Sequence, residues 1–237
     1  MTDPLGPFDW STIHEQYDQK CDRCERFDPD SPHLLWFGLD RPRSDRELYY
    51  RLIANFSLQN RAIQEDLTGL YECLLYWKYY SQGGICPRNI SYLGNRGSEL
   101  RSQSDESICE AFALMPETLV RCAPVVLALV KRLSKLELPC AGGCNLPTQT
   151  TLLHFLYPDI VPIFDKQVLK AVGVDGKLNH SFKTFERYLP FSWSLADRYQ
   201  ARMSQGDETP LRRIDMALWV HRGMHGPVSS ARRAGTA

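Results

Sequence analysis

The sequence predicts an all-α protein. Apolar residues recur at intervals of three and four along most of the chain, as on the buried face of an amphipathic helix. Alternating apolar and polar residues never continue beyond four or five positions, so the sequence predicts no convincing strand. Glycine and proline separate the helical runs. With 237 residues, of which 43% are hydrophobic and 24% charged, the chain has the size and composition of a globular protein with a substantial core.

The sequence predicts an irregular N-terminal segment followed by a helical domain. Residues 1–43 are rich in Asp, Pro and Arg and predict an irregular segment with one short helix near Trp10–Tyr17. A helical domain is expected over 44–225. Ser44 and Glu47 have the spacing of a capping box, in which the serine oxygen accepts the amide hydrogen of the third helical residue. Apolar residues then follow at helical spacing, at Leu48, Leu52, Ile53 and Phe56.

The middle of the chain predicts further helices. An apolar run indicates a helix over 63–80, which ends before a glycine pair. Its last residues, 76–80, combine four aromatic rings with Lys78, a pattern typical of a helix that is half core and half surface. Residues 94–107 are polar and are expected to form a loop. Helical spacing resumes over 106–136 in two or three pieces.

The remaining chain alternates between turns and short helices. Two prolines and two glycines within 138–147 predict a tight turn region. Residues 226–237 are expected to be a disordered tail. Helices are expected over 148–156, 181–188, 195–203 and 210–221. Residues 162–172 are expected to form a short extended entry followed by a helix.

The charge balance excludes one class of protein. Lys and Arg number 28, as do Asp and Glu, so the formal net charge is zero. A protein that binds nucleic acid through bulk charge alone is therefore not expected. Residues 166–237 nevertheless contain 12 basic and 6 acidic residues. This asymmetry indicates either a basic face in the C-terminal third or an ordinary variation in solvated charge.

The absence of targeting segments and of several well-known motifs limits the classes of protein to be considered. The sequence shows neither a secretory signal nor an apolar run long enough to cross a bilayer, so we expect a cytoplasmic protein (nuclear in a eukaryote) with no membrane partner. The motifs of dinucleotide-binding proteins, P-loop NTPases, serine hydrolases and zinc proteases are absent. These patterns predict no particular oligomeric state.

The chain contains eight cysteines, and in a reducing compartment free thiols are the default. Two close pairs, Cys21 with Cys24 and Cys140 with Cys144, are candidate ligands for one tetrahedral zinc ion. The alternative is two unrelated pairs of free thiols. Three others lie in apolar helical surroundings and are expected in the core, namely Cys73, Cys109 and Cys122.

The segment 138–172 contains the most specific pattern. A turn with Leu-Pro and two glycines precedes a helix that begins near a threonine, and the motif Pro162-Ile163-Phe164-Asp165-x-x-Val168 follows. This order resembles the helix-hairpin-helix DNA glycosylase superfamily, which includes adenine-mismatch glycosylases and endonuclease III-like enzymes. Upstream, the sequence ending in Leu58-Gln59 resembles the early helix of that family. The resemblance is loose over 45–172 and closer over 138–170. The matching turn and helix positions are Leu138, Pro139, Gly142, Gly143 and Thr148 or Thr150.

The resemblance implies a helix-hairpin-helix fold, arranged as two packed lobes with a cleft, and a monofunctional DNA N-glycosylase that removes a damaged or modified base. Asp165 is the implied catalytic residue, because a carboxylate stabilises the positive charge on the sugar or activates water. Duplex DNA is the implied partner, with the target base flipped into a pocket. Gln59, Trp77 and Lys166 are the expected substrate-binding residues. The expected contacts with the DNA backbone are Gly142, Gly143, Thr148 and Lys170.

The chain departs from the family pattern in three places. The hairpin is several residues longer and contains two cysteines. The lysine that bifunctional members place at the start of the following helix is missing, so no Schiff-base lyase step is expected. No cysteine follows Cys144, so the four-cysteine motif is absent and no iron–sulfur cluster is expected. No cofactor is expected apart from the candidate zinc.

Several residues have a second interpretation. Asp165 is also suited to be a helix N-cap, a role compatible with catalysis. His154 lies on an apolar face and is interpreted as a satisfied core histidine. Arg212 and Arg213 predict an exposed face, with Asp215 either paired with Arg212 or acting as a second functional carboxylate. The alternatives for the whole protein are a non-catalytic descendant that binds nucleic acid or a protein, and an N-glycosidase acting on a modified nucleoside.

Overall fold

A computed structural model of the chain describes residues 1, 3–6, 8–22, 42, 44–57, 60, 66–79, 98–139, 145–173, 179–203 and 208–221. In these residues the regular structure consists of nine α-helices and two 3₁₀ turns without a strand, which confirms the all-α prediction. The helices are α1 (Ile13–Asp22), α2 (Asp45–Phe56), α3 (Leu67–Tyr79), α4 (Ser98–Ala113), α5 (Ala123–Leu133), α6 (Leu146–Leu156), α7 (Lys166–Val172), α8 (Phe182–Tyr199) and α9 (Pro210–His221).

All nine helices contribute side chains to one hydrophobic core. The N-terminal residues belong to it as well, since Leu5, Phe8 and Trp10 are buried there. The helix expected near Trp10–Tyr17 is a 3₁₀ turn over Trp10–Thr12 followed by α1, which continues to Asp22. Helix α1 packs against α9 and α2. The first helix and the last therefore lie side by side.

Helix α2 begins as predicted, because the Ser44 oxygen accepts the amide hydrogen of Glu47 at 3.2 Å. Helix α3 departs from its prediction at its aromatic end. Tyr76, Trp77, Lys78 and Tyr79 are all at most 8% exposed, so the expectation of a half-exposed face is wrong. The reason is that α2, α4 and α6 all pack against α3 and cover it from several sides.

Helix α4 begins at Ser98, so the predicted loop over 94–107 is wrong from residue 98 onward. The start of α4 is polar but contains residues that a helix tolerates well. Its later part buries Ile108, Ala111 and Phe112, and this anchor stabilises the helix as a whole.

Helix α8 is a single helix where the sequence predicts two, over 181–188 and 195–203. Pro190 lies inside it, on the exposed side. Its ring removes one backbone donor, a cost that the packing of the helix offsets. Phe185 and Leu189 before Pro190 and Leu195 after it are buried in the same core.

Two further expectations are tested by burial and helix length. Cys73 is buried, but Cys109 is exposed and Cys122 is partly exposed, so the prediction of three core cysteines is correct for Cys73 only. Among the described helices, none combines the length and apolar character that crossing a membrane requires.

Candidate active site around Asp165 and Lys78

Asp165 lies at the start of α7 and is its N-cap, as the second interpretation predicted. Its Oδ1 accepts hydrogen bonds from the backbone amides of Gln167 at 2.8 Å and Val168 at 3.0 Å. The residue has extended backbone angles, with φ −120° and ψ 177°. The side chain retains 22% exposure, so the carboxylate lies at the border between core and surface.

The second carboxylate oxygen of Asp165 faces a lysine. Lys78 Nζ, from the last turn of α3, lies 3.5 Å from Asp165 Oδ2, and its side chain is 6% exposed. Burial of Asp165 opposes its ionisation. The Lys78 ammonium and the two backbone donors outweigh this effect and hold the pKa of the carboxyl below its usual value. Asp165 is therefore an anion held beside a buried cation.

The segment before Asp165 is held by two side chains of α6. The amide of Phe164 donates to Thr150 Oγ1 at 3.2 Å. His154 Nδ1 lies 2.8 Å from the carbonyl oxygen of Val161. Val161 and Phe164 are themselves fully buried. The connection that leads from α6 to Asp165 is therefore hydrogen-bonded back to α6 at two points.

The protonation of His154 follows from its partners. The Val161 carbonyl only accepts, so His154 Nδ1 carries the hydrogen. Nε2 then accepts the hydroxyl hydrogen of Tyr49 at 2.8 Å. Burial lowers the pKa of His154 to about 3, so the ring is neutral at physiological pH. The interpretation as a satisfied core histidine is confirmed.

The expected exposed face at Arg212 and Arg213 is wrong, because both side chains are buried. The Arg212 guanidinium lies over the rings of Tyr49 and Trp77, at 4.4 and 5.2 Å from their centroids. Its Nη2 donates to the Tyr17 hydroxyl at 2.8 Å. A guanidinium enclosed by aromatic faces and acceptors is stabilised in the core although it is charged.

The pairing of Asp215 with Arg212 across one helical turn is confirmed. Arg212 Nη1 donates to Asp215 Oδ2, and Asp215 is 7% exposed. Burial raises the pKa of Asp215 to about 6, against the opposing charge of Arg212, and the nearby anion Asp165 adds to the increase. Asp215 therefore titrates in a range where Asp165 stays ionised.

Two other predicted site residues lie inside the core. Trp77 is packed against Phe155, with ring centroids 5.1 Å apart in an edge-to-face arrangement. Its indole nitrogen is buried and has no hydrogen-bond partner. Thr148 is fully buried and its hydroxyl is bonded to that of Tyr79. In this arrangement neither side chain faces solvent.

The lysines after Asp165 lie at the surface rather than in the core. Lys166 and Lys170, at the start and the last turn of α7, are both exposed. They lie on the same short helix that Asp165 caps. The remaining predicted residues, Gln59, Gly142, Gly143 and the cysteines Cys24, Cys140 and Cys144, lie outside the described residues, as does the side chain of Cys21.

No group of three or more His, Cys, Asp or Glu side chains suited to a metal ion occurs in the part of the chain that the structure describes. An apolar groove of about 400 Å³ lies between residues 114–119 and α5, with Arg132 at its edge. None of the predicted site residues that the structure describes lines this groove. The charged groups described above are therefore the candidate site.

Lys78 is the residue that sequence reasoning missed. The aromatic residues around it predict a partly exposed face, and the lysines that the sequence places at the site are Lys166 and Lys170. The signal that points to Lys78 is its position inside an otherwise apolar run from residue 73 to residue 79, where a charge needs a buried partner.

A scan of the chain against protein-family models, a search of curated proteins and a search of solved structures each found no match.

Proposed function

We propose that this protein is a monofunctional DNA N-glycosylase that removes a damaged or modified base, with Asp165 as its catalytic carboxylate. The observation that carries the proposal is the anionic Asp165 beside the buried Lys78, at the position where the motif over 162–168 places the family's carboxylate. The resemblance over 138–170 supports the choice of an N-glycosidic bond in DNA as substrate.

The chemistry requires an anion near the sugar. When the bond between base and sugar breaks, its electron pair leaves with the base, whose nitrogen takes up a proton. The sugar becomes an oxocarbenium ion, which a carboxylate stabilises. Water then attacks the anomeric carbon and loses a proton. Asp165 suits this role because its lowered pKa keeps it ionised at neutral pH.

Lys78 and the exposed lysines of α7 have different roles in the proposed reaction. Lys78 holds the Asp165 side chain in place and favours its ionised form. Lys166 and Lys170 are exposed on the adjacent helix and are suited to phosphate contacts. Such local contacts allow a chain with a net charge of zero to bind a duplex.

One observation favours a second candidate, a non-catalytic descendant that binds DNA or a protein. One oxygen of Asp165 is fully occupied as an N-cap, and a cap alone is sufficient reason for an aspartate at this position. A binding protein retains the fold and its DNA affinity when the charge at residue 165 is removed.

Base release from a panel of duplexes that carry modified bases tests the proposal. Wild type, Asp165→Asn and Ser181→Ala are compared. Asparagine preserves the N-cap but not the charge, whereas Ser181→Ala weakens the N-cap of α8 instead. We expect wild type and Ser181→Ala to release a base and Asp165→Asn to lose at least about a hundredfold in rate.

Two outcomes contradict the proposal. Duplex binding by folded wild-type protein without release from any substrate favours the binding protein. Release from free nucleosides but not from a duplex identifies the nucleoside N-glycosidase instead. Steep salt dependence of binding distinguishes duplex recognition from nucleoside recognition.

A further inference from the structure

Helices α5 and α8 pack against each other in antiparallel directions. Arg121, which precedes α5, forms an ion pair with Asp197 near the end of α8, and its Nη1 lies 2.7 Å from Oδ1. At the other end of the two helices, Lys131 Nζ lies 5.8 Å from the ring centroid of Phe182, the first residue of α8. The end of α5 and the start of α8 therefore adjoin each other.

Four cations are exposed at this end of the two helices, namely Lys131, Lys135, Lys183 and Arg187. Together they form what we call the α5–α8 basic surface. Residues 131–137 and 181–187 contain five basic and two acidic residues, although the net charge of the chain is zero. Within the described part of the chain, no carboxylate forms an ion pair with any of the four cations.

The opposite end of α8 is electrically compensated, since Arg121 pairs with Asp197 and Arg198 pairs with Asp3. Helix stability does not account for the uncompensated end. Lys183 and Arg187 are like charges four positions apart, an arrangement that destabilises a helix. Lys183 also lies in the first turn of α8, where the helix dipole disfavours a cation. The α5–α8 basic surface is therefore available to an anion outside the chain.

The α5–α8 basic surface is close to the segment that contains Asp165. The ring of Phe164, directly before Asp165, lies 5.2 Å from the ring of Phe185 in α8. Phe185 itself lies between Lys183 and Arg187 in the sequence. The first turns of α8 thus pack against the chain one residue before the candidate catalytic carboxylate.

We propose that the α5–α8 basic surface binds the phosphate groups of duplex DNA beside the target nucleotide; this rests on the duplex as partner in the function proposed above. Cations spread over two adjoining helices suit a duplex, which presents one negative charge per about 1.7 Å of its axis. Phosphate contacts fix the orientation of a protein on DNA without reading the bases. The surface therefore contributes affinity and orientation, and the same contribution is expected for any sequence.

The test measures the affinity of the full chain for an unmodified duplex at several salt concentrations, by fluorescence anisotropy. We expect Lys183→Gln with Arg187→Gln to reduce the slope of log affinity against log salt by about two, because each phosphate contact contributes about 0.9. Binding at about 0.1 M salt should weaken at least about tenfold. Lys131→Gln with Lys135→Gln should have a similar effect.

The matched control is Arg198→Gln with Arg202→Gln. These two arginines are exposed and have the same spacing, but they lie at the end of α8 and in the 3₁₀ turn that follows it. This variant removes the same charge from the chain and should leave the slope unchanged. All the replaced side chains are exposed, so the variants should keep the fold, which denaturant unfolding verifies.

The slopes distinguish the outcomes. An equal reduction in all three double variants reflects net charge alone and overturns the proposed surface. An unchanged slope in both test variants also overturns it, while base release by wild type would still support the proposed function. A reduced slope in the test variants alone, without base release by wild type, supports the surface and rejects the glycosylase. Failure of wild type to bind any duplex rejects both.

Discussion

The ammonium group of Lys78 lies 3.5 Å from Oδ2 of Asp165, although 87 positions separate the two residues in the chain. The other oxygen of Asp165 caps α7 through the amides of Gln167 and Val168. The two interpretations of Asp165, a helix cap and a charged site residue, therefore involve different oxygens of one carboxylate and do not compete.

Removing the cation should change the acidity of Asp165. In Lys78→Met the burial of Asp165 is no longer opposed by an ammonium, so its pKa should rise toward or above the ordinary value. Carbon-13 NMR of the labelled carboxyl measures this directly. Lys166→Met, which removes an exposed charge nearby, is the control and should produce a much smaller shift. An equal shift in both variants would contradict the specific pairing.

The cap contribution of Asp165 can be separated from its charge. Asp165→Ala removes the two amide bonds and should lower the free energy of unfolding by about 1 kcal/mol more than Asp165→Asn, which retains an acceptor. Ser181→Ala at the start of α8 should cost a similar amount, since Ser181 accepts from the Thr184 amide in the same way. Denaturant unfolding measures all three. Equal stability of the Ala and Asn variants at residue 165 would show that the cap contributes nothing.

Because Arg212 is buried, its replacement should reduce the stability of the protein far more than replacement of the surface residue Arg121. Arg212→Met leaves Asp215 without its buried partner and should destabilise the protein by about 3–5 kcal/mol. Arg121→Met breaks the pair with Asp197, which is 63% exposed, and should cost at most about 1 kcal/mol. Urea unfolding at neutral pH compares them. A loss below about 1 kcal/mol for Arg212→Met would be inconsistent with an ion pair enclosed in the core.

His154 predicts a loss of stability in weak acid. Its pKa is about 3 in the folded protein and near the ordinary value of 6.5 when unfolded, so the unfolded state binds the proton first as the pH falls. The stability contributed by the neutral ring is present above about pH 6.5 and decreases below it, by about 2 kcal/mol between pH 7 and pH 5. Asp215, with its raised pKa, acts in the opposite direction over part of this range.

The contribution of His154 is isolated by comparison with His154→Gln. This variant does not titrate, so its free energy of unfolding should lack the decrease expected from the histidine. Parallel pH dependences in wild type and variant would disprove the assignment. Asp215→Asn, measured in the same series, should show a steeper decrease than wild type toward acid pH, because it lacks the opposing effect.

The features predicted correctly from the sequence are those that depend on neighbours a few positions away. The Ser44 cap involves Glu47, and the Asp165 cap involves Gln167 and Val168, so each is encoded in four residues. His154 was identified as a core histidine because apolar residues flank it on its helix. Helix spacing likewise predicts the all-α class, since it reflects the period of a single element.

Errors arose where burial depends on elements far away in the chain. The aromatic end of α3 and the two arginines of α9 have sequences that suit a surface, yet neighbouring helices cover them. The sequence predicts two helices over 181–188 and 195–203, but buried residues on both sides of Pro190 stabilise a continuous α8. In each case the packing free energy outweighs the local preference.

The sequence by itself therefore determined the all-α class, the caps and the carboxylate at residue 165, because backbone hydrogen bonding and helical periodicity act within one or two turns. Only the tertiary structure decided which cation faces that carboxylate and that Arg212 and Asp215 are buried. The Lys78–Asp165 pair joins α3 to the start of α7, and the Arg212 guanidinium over the Trp77 ring joins α9 to α3. The strength of such contacts depends on distance and burial rather than on separation in the chain.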